Sequence, residues 1–146
     1  NKENIRISYL GMENAWVMAP KPQLIRVFVN LITNAIQAVE IRQRELEAEG
    51  EEMIQGNVVI YLRNSTKDGY YDVVVDDNGS GVKEENISRL FTPNFTTKSA
   101  GTGLGLAICR NIMEKCGGEI SYKRSFALGG ASFTVTIPKK EDDEKC

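Results

Sequence analysis

Histidine is missing from all 146 residues. The chain therefore has no imidazole to act as a base near neutral pH, to ligate a metal or to accept a phosphoryl group. Cysteine is scarce: Cys109, Cys116 and Cys146 are odd in number and too widely spaced for a CxxC metal or redox motif. They are expected to be buried or incidental thiols in a reducing compartment. Neither sign of charge dominates, with 18 Lys and Arg against 20 Asp and Glu, which excludes the basic footprint of a nucleic-acid binder. No uninterrupted apolar run reaches the ~18 residues that cross a bilayer, and no secretory leader opens the chain. A soluble, cytoplasmic domain without a membrane segment is expected. Asn1 in place of a methionine, followed at once by strand-like sequence, suggests a piece cut from a longer protein.

What remains is sufficient for one domain, since a globular chain of this length buries roughly 68–70% of the surface its unfolded form exposes. Residues 5–9 and 15–18 read as short strands, and Ala19-Pro20-Lys21-Pro22 then breaks the pattern ahead of a helix over 23–44. In that helix Leu24, Val27, Phe28, Leu31, Ala35 and Ala38 keep helical spacing. Ile25, Val29, Ile32 and Ile36 widen the apolar stripe past half the circumference, which predicts a helix largely buried against a sheet. Residues 42–56 are charged and read as a solvated extension and loop without a functional part. Residues 58–63 and 70–76 alternate with period two around Lys67-Asp68-Gly69, predicting a hairpin. A short helix over 83–90 precedes a loop over 92–102 that is rich in Thr, Ser, Gly and Pro and predicted to be mobile. A helix over 104–116 stops at Gly117-Gly118, and a second hairpin over 119–125 and 131–137 turns at Gly129-Gly130. The prediction is an α+β two-layer sandwich over 1–138: a mixed, mainly antiparallel sheet with about three helices on one face. The charged residues 139–146 are expected to form a disordered tail.

Three polar or glycine-rich islands interrupt this apolar sequence. In the first helix Arg26, Asn30, Asn34 and Gln37 fall in one narrow wedge at steps of four, four and three. Polar groups on a buried helix need partners. The wedge is either a satisfied structural network or the lining of a cavity for a polar ligand. Asp77-Asn78-Gly79-Ser80-Gly81 ends a strand, and its glycines permit a turn and a close approach of backbone to a flat ligand. A carboxylate there accepts the exocyclic amine of adenine and repels the oxygen that guanine presents instead. Hairpin-turn chemistry is the plainer reading of the same residues. Gly101-Thr102-Gly103-Leu104-Gly105-Leu106 opens a helix, so its amides can face phosphate oxygens where the helix N-terminus adds partial positive charge. It is neither a P-loop, lacking Gly-Lys-Ser/Thr, nor a Rossmann fingerprint, and taken alone it could be a hinge. Lys98 is placed to close on a terminal phosphate, or else is a surface lysine. Asn34 offers Mg²⁺ a neutral oxygen beside the phosphates.

In this order the islands resemble the nucleotide-binding family shared by sensor histidine kinases, DNA gyrase, the heat-shock chaperone ATPases and MutL, whose fold is the Bergerat ATP-binding fold. Asn30-Leu31-Ile32-Thr33-Asn34-Ala35 resembles the family's N box, and residues 77–81 and 101–105 its two glycine boxes. Leu90-Phe91-Thr92-Pro93-Asn94-Phe95-Thr96-Thr97-Lys98 resembles the F box of histidine kinases in particular. The resemblance implies Asn34 as the Mg²⁺ ligand, Asp77 as the adenine contact and Gly101, Gly103 and Gly105 as the phosphate cradle. It implies Asn30 and Lys98 as supports of the triphosphate, and Phe91 and Phe95 as anchors of a lid. Gln37, Gly79, Gly81, Val82, Thr102, Leu104 and Leu106 complete the expected ATP-binding set.

Asn30 separates the relatives. The family's ATPases and serine-directed kinases carry a glutamate base at that position, whereas asparagine takes no proton near neutral pH. A neutral imidazole is already a nucleophile and needs no such base. The resemblance is therefore to the catalytic domain of a two-component sensor histidine kinase, with Mg²⁺ and ATP as cofactors. Without histidine, the acceptor must lie on a helical dimerisation domain ahead of Asn1, and this chain cannot autophosphorylate on histidine alone. The implied partners are that domain and, through it, a response regulator; the intact protein is expected to be a homodimer, with any anchor to the inner membrane in upstream segments. An ATP hydrolase or serine-directed kinase of the same fold, and a non-catalytic adenine-nucleotide sensor, are the rival readings.

Overall fold

The computed structural model describes residues 4–93 and 105–140. Over these, β1 (Ile5–Gly11), α1 (Lys21–Ala48), β2 (Gly56–Asn64), β3 (Tyr70–Asp77), α2 (Glu84–Ile87), α3 (Gly105–Lys115), β4 (Glu119–Arg124) and β5 (Ala131–Pro138) follow in order. The strands form one sheet, β1-β2-β3-β5-β4. Only β1 runs parallel to its neighbour β2; the other pairs are antiparallel. Register follows the alternation of the sequence, because a one-residue slip would turn every side chain to the wrong face. Val75 thus stands between Ile60 and Phe133, and Val73 between Leu62 and Val135. Val58, Val75, Phe133, Val135 and Ile137 join Val27, Leu31, Ala35 and Val39 of α1 and Cys109, Ile112 and Met113 of α3 in one core. Each fully buried aliphatic contributes about 1.5–3 kcal/mol. The fold is the expected α+β sandwich, with α1 and α3 on one face of a mixed sheet.

The helix ends obey local chemistry. Pro22 sits in the first turn of α1, where its missing N–H costs nothing. α3 closes on Gly117 at φ 79°. Gly118 N–H returns to Met113 O at 2.8 Å and Gly117 N–H to Glu114 O at 3.2 Å, the two bonds of a Schellman cap.

Four expectations change. The helix predicted over 23–44 is one continuous α1 from Lys21 to Ala48. It is not buried all round: Ile25 and Val29 are 52% and 57% exposed. Each lies two positions from Val27, about 160° away around the helix, so seating Val27 on the sheet turns both outward. Residues 15–18 form no strand, and Val17 makes only an isolated bridge to Lys139. The short helix over 83–90 contracts to the single turn of α2. An 18-residue window of α1 reaches a mean hydropathy of 1.4, enough by length and composition for a membrane span although no unbroken apolar run exists. In this fold its buried stripe is spent on the sheet.

The loop expected over 92–102 and the tail beyond Lys140 lie almost wholly outside the described residues. Lys139 and Lys140 are within them, donating to Gly69 O at 2.9 Å and Trp16 O at 2.8 Å.

Candidate functional site

β3 delivers Asp77 to the helix-covered face of the sheet, opposite Val58. The residue is 1% exposed. Its Oδ1 accepts Gly79 N–H at 2.8 Å and Ala131 N–H at 3.2 Å, and its carbonyl accepts Gly130 N–H at 3.1 Å. Two amides on one oxygen fix the plane of the carboxylate, so a ligand amine would be received at Oδ2. A group met there is out of water, where a polar mismatch costs about 1–3 kcal/mol.

Asn78 is the fastener of this turn rather than a ligand group. Its N–H and Oδ1 pair with Asn57 O and N–H at 3.1 and 2.8 Å, and its Nδ2 donates to Gln55 O at 2.9 Å. Gly79 follows because nothing larger fits. A Cβ there would lie 2.7–2.9 Å from the carbonyl carbon, oxygen and Cβ of Ala38. The first glycine box is thus pressed on α1 one turn beyond Asn34. Gly81 takes φ 75°, a conformation that costs other residues energy.

The second island meets the same helix. A Cβ on Gly105 would stand 3.9 Å from Cγ of Asn30 and 4.0 Å from its Oδ1, so the head of α3 faces the first asparagine of the wedge. Asn30, Asn34 and Gln37 are all half-buried. Asn30 also hydrogen-bonds the thiol of Cys109, whose Sγ reaches Val27 O at 3.7 Å. Val82, Phe91 and Leu106 pack against the core, Phe91 meeting Phe133 edge-on at 6.2 Å. Phe95, Lys98, Gly101, Thr102, Gly103 and Leu104 lie outside the described residues. Among the described residues no group of three His, Cys, Asp or Glu gathers as a metal cage.

Sequence reasoning missed two supports of this site. Arg42, assigned to an inert extension, donates from Nη1 to Asn78 O at 2.7 Å. The neighbouring Gln43 is 4% exposed, and its Nε2 reaches Asn4 O and Ile54 O, both at 3.2 Å. The turn over 125–131, read only as a hairpin end, encloses Asp77: a Cβ on Gly130 would lie 2.7 Å from Gly79 N. Gly129-Gly130 was the visible signal, but adjacency to β3 is not written in the local sequence.

Burial raises the Cys109 thiol from its ordinary 9.0 to about 11, against the smaller opposing effects of the Asn30 hydrogen bond and the Arg26 charge. The folded state thus keeps a proton that the unfolded state loses above pH 9. Stability supported by this group is full below pH 9 and declines as pH rises toward 11. Thermal unfolding is expected to show that decline, with Cys109→Ala reducing it; an alkaline profile that the substitution leaves unaltered would refute the assignment.

Comparison with known proteins agrees with this fold. Residues 20–141 match the family described as histidine kinase-, DNA gyrase B-, and HSP90-like ATPase. The sensor histidine kinase ZraS of Salmonella typhimurium is 38% identical over 122 residues, covering 84% of this chain and 23% of that protein. The sensor protein FixL of Bradyrhizobium diazoefficiens is 36% identical over 127 residues, covering 87% and 23%. The chain therefore spans about a quarter of the length of these relatives. Among solved structures, the catalytic domain of the histidine kinase ThkA superposes with a TM-score of 0.75 at 31% identity, covering 96% of this chain and 84% of that one. Full-length ShkA in complex with AMPPNP shares the fold, with a TM-score of 0.71 at 22% identity over 95% of this chain and 27% of that one. With a family match over residues 20–141, relatives at 36–38% identity and a shared fold, the chain belongs to the histidine kinase-, DNA gyrase B- and HSP90-like ATPase family, as a catalytic ATP-binding domain of the sensor histidine kinase type.

Proposed function

We propose that this chain binds Mg-ATP and donates the terminal phosphoryl group to a histidine carried by a helical dimerisation domain outside it, as the catalytic part of a two-component sensor kinase. The observation that supports the reading is the meeting of Asn30 with the head of α3; on this reading an amide, not a proton-accepting carboxylate, stands where a hydroxyl or water nucleophile would need its base. In this reading Asp77 Oδ2 takes the adenine amine, and the glycine box at 79–81 lets the base lie flat on backbone. Amides at the start of α3 would meet the phosphates. Asn34 suits Mg²⁺ as a neutral oxygen donor one turn from Asn30, and among the described residues no competing cage of His, Cys, Asp or Glu gathers. Bound there, the ion would screen charge on the β- and γ-phosphates.

The step is an in-line displacement. An imidazole nitrogen lone pair forms the N–P bond, the bond from phosphorus to the β,γ-bridging oxygen breaks, and the electron pair leaves on ADP. The imidazole sheds its own N–H proton to solvent, so no base on this chain is required. Lys98 and Gly101, Thr102, Gly103 and Leu104 are assigned to the triphosphate, and Gln37, Val82, Phe91 and Leu106 to the pocket wall.

The test is to mix this chain, Mg²⁺ and γ-labelled ATP with the polypeptide encoded ahead of Asn1. Acid-labile, base-stable label on that polypeptide is the expected result. ATP binding without transfer to a folded acceptor would overturn the kinase reading, and catalytic release of free phosphate by this chain alone would replace it with a hydrolase.

A further inference from the structure

Asp76 and Asp77 leave β3 on opposite faces of the sheet, as successive strand residues must. Both are nearly sealed, at 5% and 1% exposure. One turn, residues 125–130 between β4 and β5, reaches both. On the reverse face Ser125 Oγ donates to Asp76 Oδ2 at 3.3 Å while accepting Leu128 N–H at 3.1 Å. Ser125 also closes the turn through its backbone, its N–H donating to Gly130 O at 2.7 Å and its carbonyl accepting Gly129 N–H at 2.8 Å. On the helix side the same turn presents Gly130 N–H to Asp77 O at 3.1 Å, and Ala131, the first residue of β5, gives its N–H to Asp77 Oδ1 at 3.2 Å.

The turn has little freedom to move alone. Gly130 lies so close to Asp77 and Gly79 that a Cβ would be 2.7 Å from Gly79 N, and the direction from Gly81 toward Gly130 closes at 3.8 Å. Asp76 in turn depends on Ser125. Its Oδ1 and the neighbouring Ser132 Oγ are buried without a hydrogen-bond partner, so among the described residues the Ser125 hydroxyl is the donor that keeps this carboxylate inside. Without that donor a buried charge is left unpaired, a costly state that relaxes by drawing the group toward water. The turn would be released from Asp76 and free to shift against Asp77.

We propose that Ser125, through its bond to Asp76, is a positioning residue for Asp77, so that selection of a 6-aminopurine over a 6-oxopurine is set from the reverse face of the sheet. The proposal rests on the reading of Asp77 as the adenine contact. Its readout is the ratio of affinities for Mg-ATP and Mg-ITP, because the two nucleotides differ at the purine edge that meets the carboxylate.

The unsubstituted chain is expected to favour ATP by about tenfold, the scale of one mismatched buried polar contact. Ser125→Ala is expected to cut that ratio to about a third or less by weakening ATP while ITP affinity stays within about twofold. Asp76→Asn keeps an oxygen for the Ser125 hydroxyl and should retain the original ratio. Should Ser125→Ala not fold, the double variant S125A/D76N removes the buried charge together with its donor and should show the same fall. An unchanged ratio in the variant lacking the hydroxyl, or equal loss of both nucleotides, overturns the proposal while leaving Asp77 as the adenine contact. A ratio near one in the unsubstituted chain overturns the adenine reading and the proposal with it.

Discussion

Asp77→Asn is expected to lower ATP affinity by about 10–100-fold while leaving the domain folded. Asparagine is nearly isosteric and can keep its Oδ1 toward Gly79 N–H and Ala131 N–H. What changes is the other end, where an NH₂ donor replaces an acceptor and confronts the purine amine donor to donor. An unmatched buried contact of that kind costs about 1–3 kcal/mol. Guanine, which presents an oxygen there, should gain relative to adenine. Asp77→Ala is a less clean test, since it also strips the acceptor from two amides of the turn and adds their desolvation penalty to any loss of binding. Nucleotide titration with a thermal melt separates the two effects. ATP affinity within twofold of the unsubstituted chain would remove Asp77 from the site.

The second large effect is expected at Asn34. Asn34→Ala should depress phosphoryl transfer by about 100-fold or more, the scale of losing one group that stabilises transition-state charge. A thermal melt reads any change in stability separately, since the Asn34 side chain is half-buried inside α1. The signature lies in the metal dependence: affinity for Mg-ATP should drop while affinity for ATP in excess chelator stays within about twofold. Equal losses with and without metal would take the Mg²⁺ role from Asn34 and leave it a wall of the pocket.

Much of this site was legible because its chemistry is local. Asp77 with Gly79 is a two-residue hydrogen bond, so the sequence Asp-Asn-Gly already contains donor, acceptor and spacing. The Asn30 and Asn34 wedge follows from 3.6 residues per turn alone. The Schellman stop at Gly117 and the hairpin turn at Gly69 are likewise short-range, and both glycines take positive φ where they were expected to turn.

Long-range pairings were not legible, and they supply the support. Arg42 reads as one more charge on a solvated helix until the 36-residue separation to Asn78 is closed. Ser125 reads as a turn residue until β5 enters between β3 and β4 and brings it to Asp76, 49 positions earlier. The exposure of Ile25 and Val29 was misread for a related reason: composition counts apolar residues, but only the sheet decides which side of α1 is covered. Which groups can serve a nucleotide is readable from residue type, because donor, acceptor and backbone freedom belong to the residues themselves. Which of those groups are held still depends on the folded arrangement, because a buried hydrogen bond between distant segments exists only once the sheet order has brought its two ends together.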